Sequence, residues 1–279
     1  MPDFLDKLAR DAKATIKSGY YEDAGLATAP HVSLKEAVLK CAGAPVITEI
    51  KAASPSKGTI RTGFEAGKIA QAMERGGAVG ISVLTEPKNF QGSLRSLVET
   101  RIAVKLPVLM KDIIISHKQL EAASKAGADA VLLIQTLFDR GYCECSVAEM
   151  IDEAHLKNLE VLLETRNSME FRLSLDSDAD LIGINNRNLG TLNVDLNVTK
   201  RILEDNEADD KVVVSESGIN SATDIRFLHE CGADAFLVGS SVMLADDVEQ
   251  KVRELVTAFE QGTKTKSKGL IGNTKSVKT

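Results

Sequence analysis

Eight short runs of apolar and β-branched residues recur along the chain, each separated from the next by a stretch of helical character. They begin at residues 46, 79, 108, 130, 160, 181, 212 and 235, at intervals of 21 to 33 residues, and read VITEIK, VGISVLTE, VLMKDI, AVLLIQ, EVLLET, LIGINN, VVVSESG and AFLVGSS. Near-continuous apolar runs are typical of strands that are covered on both faces. Strands that alternate with helices at this spacing require parallel pairing through right-handed crossovers. The pattern therefore predicts an α/β protein with a parallel sheet.

Eight strand–helix units fit closure of that sheet into a barrel. The chain has 279 residues, and a single (β/α)8 barrel typically needs about 250. Segments 118–125 and 222–231 carry apolar residues at helical spacing, and the repeats AGADAVL at 126–132 and CGADAFL at 231–237 each resemble a helix stop followed by a strand. An open, doubly wound sheet is the alternative, but no G-x-G-x-x-G sequence follows the first strand. We predict a (β/α)8 TIM barrel with an N-terminal helical extension.

The predicted catalytic barrel occupies residues 46–260. Residues 1–45 precede the first strand and are predicted to form two helices, at 3–18 and 33–41, that either cap the bottom of the barrel or border its mouth. Residues 261–279 are basic and poor in apolar residues, a composition typical of a disordered tail.

Charge and hydropathy patterning narrow the function classes. The formal net charge is −6 and the pI about 5.4, which disfavours nucleic acid as a partner but allows an anionic small molecule, because local amides and cations set the field in a site. The N-terminus has no long apolar core, and no run of 18 apolar residues occurs. We therefore expect no membrane association and predict a cytoplasmic protein.

The four cysteines and four histidines show no metal-ligand spacing, and no metal site is predicted. Cys143 and Cys145 are close enough in sequence for a redox pair. The interpretation that we favour is two small residues in a connector.

Polar residues follow five of the eight predicted strands, where a parallel barrel places its function. They are Glu49 and Lys51, Lys111 and Asp112, Glu164, Asn185 and Arg187, and Glu216, Ser217 and Gly218. Any one of them can be a charge that reaches solvent as its strand leaves the core. Five strands that end in this way instead favour a cavity in which acids and bases perturb one another's pKa.

The last two predicted strands run into glycine-containing turns. One turn is Ser217, Gly218, Ile219 and Asn220, and the other is Val238, Gly239, Ser240 and Ser241. Loops after the seventh and eighth strands form the usual phosphate site of these barrels, because glycine lets backbone N–H groups approach the anion. Two ordinary tight turns are the alternative, and we favour phosphate binding.

These motifs together resemble the indole-3-glycerol-phosphate synthase family. The matching segments are EIKAASPSKG at 49–58, ISVLTE at 81–86 with FQG at 90–92, VLMKD at 108–112, IGINNRNL at 182–189, ESGI at 216–219 and VGSS at 238–241. They cover residues 46–245 in the family's order. The resemblance implies a carboxy-lyase of tryptophan biosynthesis that needs no cofactor. It would convert 1-(2-carboxyphenylamino)-1-deoxyribulose 5-phosphate to indole-3-glycerol phosphate by ring closure, decarboxylation and dehydration.

The resemblance also implies roles for individual residues. Lys111 would donate a proton in ring closure, Glu164 would act as base in dehydration, and Lys51 would assist as acid and bind the anthranilate carboxylate. The division of acid and base work in dehydration among these three stays open. The other residues with an implied role orient these groups or bind substrate or its phosphate: Glu49, Asn185, Arg187, Glu216, Ser54, Phe90, Ser217, Gly218, Gly239 and Ser240. The loop at 52–63 would close over the substrate as a lid.

Two positions depart from the family pattern. Ile113 follows the Lys-Asp pair where the family often has phenylalanine. After the fifth predicted strand the family commonly has Glu-Val-His, and this chain has Glu164-Thr165-Arg166, which retains the glutamate. An isomerase of the tryptophan or histidine pathways, or an inactive barrel kept for binding, is the alternative function. We expect a monomer with at most weak self-association, and the phosphorylated anilino sugar as a small-molecule partner.

Overall fold

The eight apolar runs form parallel strands that close into a barrel. The computed structural model describes residues 3–27, 29–54, 58–208 and 210–260. Within those ranges the strands are β1 (Val46–Ile50), β2 (Ala53–Ser54), β3 (Gly58–Thr59), β4 (Gly80–Leu84), β5 (Val108–Lys111), β6 (Ala130–Ile134), β7 (Glu160–Thr165), β8 (Leu181–Asn185), β9 (Val212–Glu216) and β10 (Ala235–Val238). The order around the barrel is β1-β10-β9-β8-β7-β6-β5-β4, and β4 pairs with β1 to close it, whereas β2 and β3 form a separate antiparallel pair. The predicted barrel is confirmed, and the open sheet is excluded.

Alternate residues of each barrel strand face opposite sides, and both sides are buried. Leu109 and Leu162 pack in the barrel interior, whereas Met110 packs in the outer layer between the sheet and the helices. Because side chains alternate, the residue two places after an inward-facing leucine also faces inward. Lys111 and Glu164 occupy such positions at the carboxyl ends of β5 and β7.

Helices connect the strands and cover the outside of the barrel. In the part of the chain that the structure describes they are α1 (Phe4–Lys17), α2 (Leu34–Leu39), α3 (Ala66–Arg75), α4 (Leu94–Ala103), α5 (His117–Lys125), α6 (Gln135–Asp139), α7 (Val147–Leu156), α8 (Ser168–Leu175), α9 (Asn197–Glu204), α10 (Ala222–Glu230), α11 (Ser240–Met243) and α12 (Val248–Val256). Serine, aspartate or asparagine side chains accept hydrogen bonds from first-turn amides in eight of them. The helices predicted at 118–125 and 222–231 correspond to α5 and α10 within one residue at each end.

The two N-terminal helices lie at opposite ends of the barrel. Phe4 of α1 lines the cavity at the mouth, and Arg140, in the loop after α6, binds the carboxylate of Asp3 at 2.8 Å. The amide of Leu34 in α2 donates to Glu160 at the first position of β7 at 2.7 Å. One helix therefore borders the mouth and the other covers the bottom.

Seven of the eight barrel strands end one to three residues earlier than the apolar pattern predicts. The predicted strands at 79–86, 212–218 and 235–241 correspond to the shorter β4, β9 and β10. After β9 the backbone turns out of the sheet, because Ser217 and Gly218 adopt φ values of +69° and +86° in the left-handed region. After β10 the chain passes directly into α11. The residues predicted to bind phosphate thus lie above the sheet, in the turn after β9 and at the start of α11.

The described chain closes with α12 and a 3₁₀ turn at residues 257–260. The tail predicted at 261–279 lies outside the described residues. No helix within the described ranges is long and apolar enough to cross a membrane.

Candidate active site

A cavity of about 290 Å³ opens at the carboxyl end of the barrel strands. Small-molecule sites typically have volumes of this order or somewhat larger. It is lined by all but one of the residues that the sequence predicts for the site: Glu49, Lys51, Ser54, Phe90, Lys111, Glu164, Asn185, Arg187, Ser217, Gly218, Gly239 and Ser240. The exception is Glu216, which is fully buried beneath the cavity. Tertiary packing therefore brings together residues that are separated by up to about 190 positions in the sequence.

The floor of the cavity is a layer of four charged side chains from alternate strands. Glu49 of β1, Lys111 of β5, Glu164 of β7 and Glu216 of β9 occupy every second strand around the barrel, which is how side chains fill each layer of a TIM barrel. The ammonium nitrogen of Lys111 lies 2.5 Å from a carboxylate oxygen of Glu216, 3.8 Å from Glu49 and 3.9 Å from Glu164. One cation is therefore surrounded by three carboxylates.

The charges in this layer shift one another's pKa. Burial opposes a charge on Lys111, but the carboxylates of Glu216, Glu49 and Glu164 outweigh it and raise the pKa of the ammonium. Burial and the nearby Glu216 carboxylate raise the pKa of Glu164 from 4.5 to about 7. Burial likewise raises the pKa of Glu216, although Lys111 opposes the shift. The layer thus combines a stable cation with a carboxyl that can gain or lose a proton near neutral pH.

Glu49 and Lys51 form an ion pair at 2.5 Å on the wall of the cavity. Burial opposes the charge of Glu49, but Lys51 and Lys111 outweigh it and lower the pKa of this carboxyl. Gly239 lies against the pair, since a Cβ atom at this position would stand 2.4 Å from a Glu49 carboxylate oxygen and 2.9 Å from the Lys51 nitrogen. The glycine predicted for phosphate binding is therefore also the residue that leaves room for this pair.

The turn after β9 requires glycine at position 218, because of both steric space and backbone conformation. A Cβ atom on Gly218 would lie 2.5 Å from the side chain of Val194, and φ at Gly218 is +86°. Ser217 also has a positive φ, of +69°, which is uncommon for a residue with a side chain. This turn is held in a defined shape beside the cavity.

Asn185 and Arg187 line the cavity next to the carboxylates. The Asn185 side chain accepts a hydrogen bond from the Arg187 amide at 2.9 Å, and a side-chain hydrogen bond from Asn185 opposes the rise in the pKa of Glu164. The Arg187 guanidinium donates to the carbonyl of Leu192 at 3.1 Å. Burial lowers the pKa of Arg187, whereas the charge of Glu49 opposes that shift.

Ser54 and Phe90 lie on neighbouring loops at the rim. Ser54 is buried in β2 and lines the cavity, and the Ala53 amide donates to the carbonyl of Phe90 at 3.2 Å. Residues 55–57 of the predicted lid lie outside the described residues, so closure of the loop at 52–63 stays a prediction.

An apolar wall completes the cavity, and the sequence indicated only part of it. Ile113, which replaces the family's frequent phenylalanine, lines the cavity and is buried. Residues that the sequence analysis missed include apolar side chains of α1, β6 and the loop after β8: Phe4, Leu8, Leu132, Ile134, Leu192 and Val194. Strand-end patterns did not indicate them, because apolar side chains at such positions are indistinguishable from core.

The second departure from the family pattern lies outside the cavity. The Arg166 side chain approaches Glu170 at 3.8 Å and is not among the residues that line the cavity. The hydroxyl of the preceding Thr165 donates to the carbonyl of Gly183 at 2.8 Å. The change after Glu164 therefore affects the support of β7 more directly than the cavity surface.

Gly183 is a further residue that sequence analysis missed. It lies in β8, and a Cβ atom on it would stand 2.3 Å from a Glu216 carboxylate oxygen and 3.3 Å from the Glu164 backbone. A lone glycine inside an apolar strand is the signal that was available, since it often marks close approach of another group. Gly183 makes the room in which Glu216 reaches Lys111.

The four cysteines are free thiols. Burial raises the pKa of the Cys143 thiol to about 12, and burial also raises the pKa of the Cys145 thiol. A raised pKa disfavours the thiolate that redox chemistry requires, which supports the interpretation of these two residues as part of a connector. Within the described ranges, no group of three or more histidine, cysteine, aspartate or glutamate residues is arranged to hold a metal ion.

A closed parallel barrel with acid and base groups at the carboxyl ends of its strands defines this protein as an enzyme of the (β/α)8-barrel class. A family model described as indole-3-glycerol phosphate synthase matches residues 6–255. The chain belongs to the indole-3-glycerol phosphate synthase family, a family of carboxy-lyases of tryptophan biosynthesis, and the resemblance inferred from the sequence is confirmed.

Curated relatives support the family assignment. A protein of Methanocaldococcus jannaschii named indole-3-glycerol phosphate synthase is 42% identical, with 76% of this chain and 77% of the relative covered. Proteins of the same name are 43% identical in Methanopyrus kandleri, over 81% of this chain and 87% of the relative, and 44% identical in Neisseria meningitidis, over 75% and 78%.

Solved structures show the same fold at low sequence identity. A thiamine phosphate pyrophosphorylase from Pyrococcus furiosus is 19% identical with a TM-score of 0.57, covering 83% of this chain and all of the other. An N-acetylmannosamine-6-phosphate 2-epimerase from Clostridium perfringens is 16% identical with a TM-score of 0.56, covering 86% and 97%. These similarities concern the barrel alone.

Proposed function

We propose that this chain converts 1-(2-carboxyphenylamino)-1-deoxyribulose 5-phosphate to indole-3-glycerol phosphate, with release of CO2 and water. The observation that carries the proposal is the Lys111 ammonium, in contact with three carboxylates at the floor of a cavity. Apolar residues on the β5–β6 side of that cavity face the glycine turns after β9 and β10 across the barrel. An aromatic ring and a phosphate at opposite ends of one substrate match this arrangement.

The first step is attack of the aromatic ring carbon on the ribulose carbonyl, followed by loss of the carboxyl group as CO2. Negative charge develops on the carbonyl oxygen, and a positioned cation or proton donor stabilises it. Lys111 is suited to this role, because three carboxylates keep its ammonium charged. Glu216, buried and 2.5 Å from Lys111, holds the ammonium in place from below.

The second step is loss of water, which makes the new five-membered ring aromatic. A base removes the proton from the anilino nitrogen and an acid protonates the departing hydroxyl. A proton then moves from the methylene carbon of the new ring to the nitrogen, which completes the indole. Glu164 is proposed as the base, since its pKa near 7 lets its carboxylate accept a proton at neutral pH. Lys51, held by Glu49, is proposed as the acid and as the group that binds the anthranilate carboxylate.

The phosphate is proposed to bind at Gly218, Gly239 and Ser240, bordered by Ser54 and Ser217. Both glycines lie where a Cβ atom would collide with neighbouring groups, so the backbone approaches the cavity closely there. Phe90 and Arg187 are proposed to contact the rest of the substrate, and Asn185 to hold the intermediates. Glycine and serine residues in turns that line the cavity support the assignment of the phosphate site, because their backbone N–H groups can approach an anion.

Incubation of the purified protein with the anilino-deoxyribulose phosphate tests the function directly. We expect indole fluorescence to rise while CO2 is released in equal amount, with no added metal or cofactor. Binding without turnover would favour an inactive barrel. Absence of both would contradict the proposal and return attention to the phosphosugar isomerases.

The pH dependence of turnover tests the role of Glu164. We expect kcat to fall as the pH drops below about 7, approaching a tenfold decrease per pH unit, because protonation removes the base whose pKa is raised to about 7. Measurement of kcat between about pH 5 and pH 9 at saturating substrate separates this effect from the substrate phosphate, whose second pKa of about 6 affects binding. A kcat that stays constant down to about pH 5 would contradict the assignment.

Location and assembly stay predictions of the sequence. We propose a cytoplasmic monomer whose partner is the phosphorylated substrate. Size-exclusion chromatography with light scattering measures the assembly state, and a stable dimer would contradict the proposed monomer.

A further inference from the structure

Asn186 is a buried residue that lies between two cavity-lining residues and faces away from the cavity. Only 1% of its surface is exposed, and it does not line the cavity, unlike Asn185 and Arg187 on either side. This placement follows from the alternation of side chains along an extended segment.

The polar groups of Asn186 make hydrogen bonds to three different elements. Its amide nitrogen donates to the Ser215 hydroxyl at 3.0 Å and to the Ser217 carbonyl at 3.3 Å. Its amide oxygen accepts from the backbone N–H and the hydroxyl of Thr199, at 3.2 and 2.9 Å. The backbone N–H donates to the Glu216 carbonyl at 2.9 Å. Asn186 therefore connects β9, the start of α9 and the turn after β9.

The hydrogen bond from the Asn186 amide to the Ser217 carbonyl fixes the orientation of the Ser217–Gly218 peptide plane at the cavity. A trans peptide is planar, and its C=O and the following N–H point in opposite directions. Because the Ser217 carbonyl points back to Asn186, the N–H of Gly218 points the other way, and Gly218 lines the cavity. The positive φ of Ser217 is strained for a residue with a side chain, so this plane needs a partner that holds it.

We propose that Asn186 is a positioning residue for phosphate recognition and acts through the Ser217–Gly218 peptide. The inference rests on the proposed phosphate site. Asn186 holds the Ser217 carbonyl away from the anion and thereby aims the Gly218 N–H at it. The side chain of Asn186 contacts neither the substrate nor the charged side chains of the layer at Lys111, so it affects the binding of the phosphate rather than the chemistry.

Asn186→Asp tests the inference with almost no change in shape. The carboxylate still accepts from Thr199 but cannot donate to the Ser217 carbonyl, so the peptide is expected to turn. We expect KM to rise about tenfold, with kcat within about threefold of wild type. The dissociation constant of inorganic phosphate, measured by calorimetry, is expected to rise by a similar factor.

Ser215→Ala is the matched control, because it removes the other acceptor of the same amide and leaves the bond to Ser217 intact. We expect its KM to stay within about twofold of wild type. Equal increases in KM for the two variants would overturn the inference and make Asn186 merely structural, as would a loss of kcat at constant KM. If Asn186→Asp fails to fold, Asn186→Ser gives the same comparison, because its shorter side chain falls short of the Ser217 carbonyl.

The phosphate measurement separates this inference from the proposed function. If wild type binds inorganic phosphate but does not turn over the anilino substrate, the proposed reaction is wrong, and the ratio of phosphate affinities still tests Asn186. A wild type that turns over substrate, with an Asn186→Asp variant of unchanged KM and phosphate affinity, overturns the inference alone. A wild type without phosphate affinity overturns the inference together with the phosphate site.

Discussion

Lys111→Met is expected to lower kcat by at least about 10³-fold, because the variant loses the cation that stabilises charge on the carbonyl oxygen in ring closure. Methionine is unbranched like lysine, is one atom shorter and carries no charge. Lys111 lies at the centre of three carboxylates, and the described part of the cavity places no other ammonium in contact with Glu216 and Glu164. Single-turnover measurement of CO2 release and indole fluorescence follows both products of the reaction.

The control for this variant is Lys88→Met, which removes a lysine that is partly exposed and pairs weakly with Asp11 at 3.9 Å. It is expected to retain wild-type turnover. Removal of Lys111 also leaves the buried Glu216 without its partner, at a cost of about 3–5 kcal/mol where the carboxylate stays ionised. Circular dichroism must therefore show that Lys111→Met is folded. Folded Lys111→Met that retains more than about a tenth of wild-type kcat would contradict the proposed acid.

Glu164→Gln is expected to lower kcat for indole formation by about 10²- to 10⁴-fold, because the amide cannot take up the anilino proton. CO2 release reports decarboxylation and indole fluorescence reports dehydration. The two signals separate in time only if dehydration follows decarboxylation. In a single turnover we therefore expect CO2 release at the wild-type rate, while indole fluorescence appears about 10²- to 10⁴-fold more slowly. In the variant, the decrease in kcat with a midpoint near pH 7 is expected to disappear, because the carboxyl with a pKa of about 7 has been replaced by an amide.

Glu160→Gln is the control for Glu164→Gln, because Glu160 stands at the opposite end of the same strand. Its carboxylate accepts hydrogen bonds from the amides of Leu34 and Lys35 at 2.7 and 3.1 Å. Its replacement is expected to lower the melting temperature and to leave the turnover of folded protein unchanged. Equal loss of CO2 release and indole formation in Glu164→Gln would show that Glu164 acts before dehydration.

Local sequence patterns were sufficient for the barrel and for most of the site. A strand covered on both faces must be apolar throughout, and a helix start needs a side chain that accepts its free amides, so both are visible within a few residues of chain. Eight such units leave few ways to bury their strands except by closure. Charged residues such as Lys111 and Glu164 at the ends of apolar strands were conspicuous for the same reason.

Tertiary structure decided which of these residues touch one another. The register of the closed barrel places Glu49, Lys111, Glu164 and Glu216 in one layer, and no local pattern states that register. Burial of Glu216 beneath Lys111 depends on Gly183 in a neighbouring strand, which looked like an ordinary gap in an apolar run.

Local sequence also gave no indication of most of the apolar wall or of the side chain that supports the turn after β9. Phe4 reaches the cavity only because α1 docks at the mouth of the barrel, and Asn186 matters because Ser217 folds back beside it across 31 residues of chain. Local sequence is sufficient to predict the elements and the polar residues at their ends, since these follow from the backbone and its nearest neighbours. The packing of distant elements sets the protonation state, the burial and the orientation of each polar group, because the free energy of a group depends on what surrounds it in space.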